Sequence, residues 1–83
     1  MENKKSPEGQ FEIDYRNWSQ VLQYVMSDKN FKQMDYDMKK YIKVTIKYSI
    51  FDKFKIRNMK YLKAKDIEEA KEIANKVILS TIN

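Results

Sequence analysis

The chain contains no histidine and no cysteine, and it has one glycine and one proline in 83 residues. Each absence removes a class of chemistry. Without imidazole there is no histidine general base, no histidine metal ligand and no triad built on that ring. Without a thiol there is no cysteine nucleophile, no disulfide framework and no thiolate zinc site. The lack of cysteine fits a reducing compartment. Pro7 and Gly9 both lie in the first ten residues, so the rest of the chain holds neither. A dinucleotide fingerprint or a P-loop, which needs glycine for close approach to phosphate, is therefore excluded. No apolar run approaches the roughly 18 residues of a membrane helix. The opening MENKKSPEGQ lacks the apolar core of a signal peptide. The expectation is a cytoplasmic, non-membrane protein that is not an enzyme and has no catalytic residues, metal or cofactor.

Three residual chemistries are weak. Asp35 and Asp37 with Glu68 or Glu72 could share a metal, but carboxylates two apart point to different sides of a helix. Asp52 with Glu69-Ala70-Lys71 superficially matches a D…ExK nuclease pattern, yet that pattern needs a strand and this triplet opens a helix. Six tyrosines invite covalent catalysis, but phosphate binding would rest on Arg16 and Arg57 alone.

What the chain does have is lysine, and it is unevenly placed. Residues 39–65, KKYIKVTIKYSIFDKFKIRNMKYLKAK, carry ten bases against one acid, Asp52. The other residues carry seven bases and eleven acids, so the segment is +9 and the remainder −4. Lys, Ile, Asn and Tyr supply 36 residues, and Lys outnumbers Arg fifteen to two. That bias is typical of AT-rich coding sequence, such as a low-GC bacterium or its phages and mobile elements. It explains many lysines but not their clustering.

A chain this short buries only about 60–65% of its unfolded surface, which implies one small domain. Residues 1–9 read as a flexible tail and 10–83 as the domain. FEIDY (11–15) alternates like a short strand. Trp18, Val21, Leu22, Val25 and Met26 mark one face of a first helix, with Asn17 and Gln20 as a capping box. SDKN (27–30) offers turn and cap residues. Phe31, Met34, Met38 and Tyr41 recur at the spacing of a second helix. Ile42, Val44, Ile46, Tyr48 and Ile50 alternate with polar residues, predicting a strand. FDKF then reads as a hairpin turn and FKIRNMKYL as a return strand with a bulge at Asn58-Met59. Asp66 and Glu69, as cap and capping box, announce a last helix, 67–81, with one apolar stripe of Ile67, Ala70, Ile73, Ala74, Val77, Ile78 and Thr81. The expected fold is α+β, in the order β-α-α-β-β-α: a three-stranded, antiparallel-containing sheet with its helices on one face.

That order is similar to the type I KH domain, a single-strand binder. Its GxxG phosphate clamp would fall at Ser27-Asp28-Lys29-Asn30, where no glycine stands. EEAKEIANKVI resembles the last helix of a double-stranded RNA-binding domain, with Glu68 and Glu69 where phosphate-binding lysines are expected. A strand pair followed by YLKAKDIEEAKEIA is similar to the arm-binding domain of some phage integrases, whose basic sheet reads DNA. None of the three defines a family for the chain.

The basic hairpin implies DNA or RNA as partner. Its outer face would present Lys43, Thr45, Lys47, Lys55 and Arg57, with Lys53 at the turn. Lys60, Lys63, Tyr41 and Tyr61 lie close by. Rings stack bases while lysines neutralise phosphates. The scarcity of arginine favours backbone contact over guanine readout. In the plainer reading the lysines only protect an exposed sheet from aggregation. The competing function is a small inhibitor or adaptor that meets an acidic protein surface, or docks through Phe31, Met34, Tyr36 and Met38. A homodimer would add stability to a small core.

Overall fold

The computed structural model describes residues 15–82, and among them there is no strand. Four helices appear: α1 (Arg16–Ser27), α2 (Lys29–Lys32), α3 (Tyr36–Phe54) and α4 (Ile67–Ile82). Single 3₁₀ turns at Met59–Tyr61 and Ala64–Asp66 bridge α3 and α4. The described residues form an all-helical domain, so the expected α+β sheet and its basic hairpin are overturned. Of the strand expected at 11–15, only Tyr15 is described, in a turn. The expected tail, 1–9, lies outside the described residues.

The central error concerns residues 42–62. Every second residue from Ile42 to Ile50 was read as one strand face. On a helix, residues four apart stay within about 40° of each other while residues two apart fall on opposite sides. Ile42, Ile46 and Ile50 are accordingly fully buried, whereas Val44 and Tyr48 are exposed. Asp35 starts this helix, its Oδ1 accepting the Met38 N–H at 2.8 Å. Burial of the isoleucines overrides the modest strand preference of β-branched residues. FDKF, expected to turn a hairpin, instead completes α3. The helix stops at Lys55, whose φ of 57° and ψ of 45° are left-handed. The Ile56 N–H then donates to the Phe51 carbonyl at 3.0 Å, closing the end as a glycine-capped helix would.

The predicted second helix is divided. Asp28 caps α2 by accepting the N–H groups of Asn30 and Phe31, and the chain restarts at Tyr36. Asn17 does not cap α1: the helix begins at Arg16, with Tyr15 before it and no side-chain bond at the cap. The last helix stands as expected, with Ile67, Ala70, Ala74 and Ile78 buried and acids Glu68 and Glu69 in the first turn, where the helix dipole favours them.

α4 is the common packing surface for α1 and α3. Its stripe meets Val21 and Val25 of α1 and the three isoleucines of α3, while Phe31, Met59 and Leu62 close the remaining sides. No polar or charged residue is buried among the described residues.

Two substitutions test this fold. Ile46→Ala should cost about 2–5 kcal/mol in urea denaturation, and Val44→Ala within about 0.5 kcal/mol; a strand carrying both on its inner face would make both costly. Lys55→Gly should stabilise by about 1 kcal/mol, because glycine adopts the left-handed region without Cβ strain. For a domain of this size that raises Tm by about 4–8 °C.

Candidate nucleic-acid interface

The basic segment now divides between the outer face of α3 and the loop that follows it. Residues 40, 43 and 47 recur three and four apart, so Lys40, Lys43 and Lys47 share one exposed stripe. Like charges at these spacings destabilise a helix by about 0.2–0.5 kcal/mol per pair, so the stripe carries a structural cost. After Lys55 the chain would have little regular structure of its own. It is held by burial of Met59 and Leu62 and by the Asn17 Nδ2 donating to the Leu62 carbonyl at 2.9 Å. Asn58 Oδ1 accepts the Lys60 N–H at 3.0 Å and starts the first 3₁₀ turn. Between these anchors, Lys55, Arg57, Lys63 and Lys65 stay exposed.

Two adjoining concavities result. The larger, about 770 Å³, is lined by Lys53, Lys55, Arg57, Lys63, Lys65 and Tyr61 among others, with Asp66 as its acid. Lys53 is paired with Glu69 of α4 at 3.2 Å, an exposed contact worth at most about 1 kcal/mol. No ion pair engages Lys55, Arg57, Lys63 or Lys65 among the described residues. The smaller concavity, about 350 Å³, lies where α1, α3 and the loop meet. Its wall includes Tyr15, Trp18, Lys47, Tyr48, Phe51 and Arg57, with no acid among the described residues that line it. Tyr48 and Phe51 stand edge to face, centroids 5.7 Å apart, and Lys47 Nζ lies 5.9 Å from each ring. Arg57 belongs to both walls.

The expected site residues therefore fare differently. Lys47 and Arg57, assigned to one hairpin face, do share a surface, although a helix and a loop bring them there. Lys55, Lys63 and Tyr61 join Arg57 in the larger cleft. Lys60 is half-buried, with its Nζ 5.3 Å from the Tyr61 ring. Lys43 lies on α3 outside both concavities, and Tyr41 lines a separate groove with Thr45 and Val77. Trp18, Tyr48 and Phe51 were missed as site residues. Nothing local to Trp18 signals that it meets residues some thirty positions away.

The alternative docking stripe is not one surface. Phe31 is 4% exposed and Tyr36 is 77% exposed, while Met34 packs against the core and Met38 is 38% exposed. No group of three or more acidic, His or Cys residues placed to hold a metal occurs among the described residues. No helix among them is long and apolar enough to cross a membrane. Comparison with family models, curated proteins and solved structures gives no match to this chain.

Asn17→Ala tests how the loop is held. Loss of this one bond should cost about 1 kcal/mol and speed amide exchange at Tyr61 and Leu62 more than in α4. Uniform acceleration across the protein would mean that Asn17 stabilises the whole fold and not the loop.

Proposed function

We propose that this is a non-enzymatic protein that binds the nucleic-acid backbone through Lys47, Lys55, Arg57, Lys63 and Lys65. One observation carries the reading: these five exposed cations, in no ion pair among the described residues, line two concavities joined at Arg57. A merely solvated charge face has no need of concave form or of a pinned loop. The lysine stripe of α3 extends the same positive surface, and its repulsion is tolerable if an anionic partner relieves it. With two arginines in the chain, phosphate contact dominates over base-edge readout.

A protein partner is the second reading, favoured by the exposed apolar residues on the solvent side of α3. Tyr41 and Tyr48 are each 60% exposed and Val44 45%. A second copy of this chain suits that face poorly, since a two-fold contact would set Lys40, Lys43 and Lys47 near their own copies. A homodimer paired through a hairpin edge has no edge to use, since no strand occurs among the described residues. An acidic protein surface is the complementary occupant.

Fluorescence anisotropy of labelled oligonucleotides distinguishes the two readings. Five phosphate contacts predict a slope of log K against log salt of about −3.5 for a single strand, or roughly a hundredfold weakening from about 50 to 200 mM salt. Lys47→Glu with Arg57→Glu should abolish binding at moderate salt and leave Tm nearly unchanged, because both side chains are exposed. Absence of binding even at low salt would sink the nucleic-acid reading and move attention to the Tyr41–Tyr48 face.

A further inference from the structure

We propose that the smaller concavity is a subsite for one unstacked base of a single-stranded nucleic acid, with the adjoining phosphates held by Lys47 and Arg57. This rests on the backbone-binding reading above and narrows it to single strands. The chemistry of the wall supports it. Trp18 from α1 and Tyr48 and Phe51 from α3 bring three ring systems to one site, and base–aromatic stacking tolerates any base because each has a π face. Tyr48, outside the core cluster, is 60% exposed and meets Phe51 edge to face. The volume, about 350 Å³, lies at the lower end of the roughly 300–1,000 Å³ spanned by small-molecule sites.

Charge completes the fit. Among the described residues the wall of the concavity carries two cations, Lys47 and Arg57, and no acid, which favours a base that enters with its phosphates. Asn58 Oδ1 is occupied by the Lys60 N–H, which leaves the amide donors of Asn58 for a base carbonyl. Arg57 stands between the two concavities. A strand with one base seated against Tyr48 would therefore pass its next phosphates to Arg57 and then to Lys55, Lys63 and Lys65. A duplex offers no such base, because its rings are paired and stacked; only the outer phosphates would make contact.

Trp18 is the only tryptophan, so its emission reports on the concavity directly. The full chain would be titrated at low and moderate salt with four probes: a short oligothymidylate, a duplex of equal length, inorganic polyphosphate and polyglutamate. Trp18 emission would be read alongside affinity. Oligothymidylate should quench Trp18 and bind most tightly, while duplex and polyphosphate bind without quenching. Tyr48→Ala should weaken oligothymidylate about tenfold and leave polyphosphate affinity and Tm unchanged. Equal binding of oligothymidylate, duplex and polyphosphate with no quenching would overturn the base subsite and leave backbone binding standing. So would a Tyr48→Ala effect of the same size on every probe. Polyglutamate binding as tight as oligothymidylate would overturn the subsite and favour an acidic protein surface. Binding of no probe would overturn the subsite and the nucleic-acid reading together.

Discussion

The seat of α4 between α1 and α3 is the contact on which the rest depends. Ala70 and Ala74 are fully buried, and side chains that small let neighbouring helices come close. Ile67 and Ile78 extend the stripe at either end, and α1 and α3 are fastened to it through Val21, Val25 and the three isoleucines. Since every buried side chain among the described residues is apolar, no polar network among them fixes the register. Register comes from shape, chiefly the four-residue spacing of Ile42, Ile46 and Ile50 against the alanines. A larger side chain at Ala74 would separate the helices and with them the loop that leans on α1.

That arrangement leaves α3 in an unusual position for a helix of a small domain. Its core face requires only the 42, 46, 50 series, and its opposite face carries Tyr41, Val44 and Tyr48 between lysines. Apolar residues thus stand on two sides. One set is buried by α4 and accounts for stability. The other lies outside the core, where Tyr48 meets Phe51 edge to face and Tyr41 borders a groove with Val77 of α4. The loop from Lys55 to Lys65 shows the same division at smaller scale: Met59 and Leu62 point inward and anchor it, while Arg57, Lys63 and Lys65 stay outside. Anchoring matters for binding because cations on a held loop lose less conformational freedom when they meet an anion.

Legibility in the sequence followed how many periods each segment obeyed. α4 obeys one, and its limits and buried stripe could be read directly from Ile67, Ala70, Ala74 and Ile78. α1 was recognised for the same reason, although Asn17, expected to cap it, turned out to hold the distant Leu62 carbonyl. α3 obeys two periods at once. Ile42, Ile46 and Ile50 satisfy both alternation and helical spacing, and only packing against α4 discards Val44 and Tyr48 from the inner set. A local signal did exist, since FDKF lacks the Asn-Gly or Asp-Gly of tight hairpins and Asp35 is well placed as a cap. Lys47, Lys55, Arg57 and Lys63 line two adjoining concavities without the hairpin, because they lie close along the chain, whereas Lys43 and Lys60 line neither. The placing of Trp18 beside the same concavity as Tyr48 was not legible, since it arises only through tertiary structure.

Replacing a sheet by a helix and a pinned loop changes what kind of recognition this surface supports. An open sheet presents several rings in one plane and can stack successive bases. Here the rings of Trp18, Tyr48 and Phe51 converge on one concavity, Tyr61 lies in the neighbouring cleft, and Tyr41 faces another groove. Under the proposed reading these residues would engage one base with a tract of phosphates, not a run of stacked bases. On that reading most of the affinity is electrostatic and insensitive to sequence, while the single stacking site supplies a preference for strands whose bases are already free. Glu69 pairs with Lys53 at 3.2 Å, and the remaining positive charge runs from Lys47 through Arg57 to Lys65.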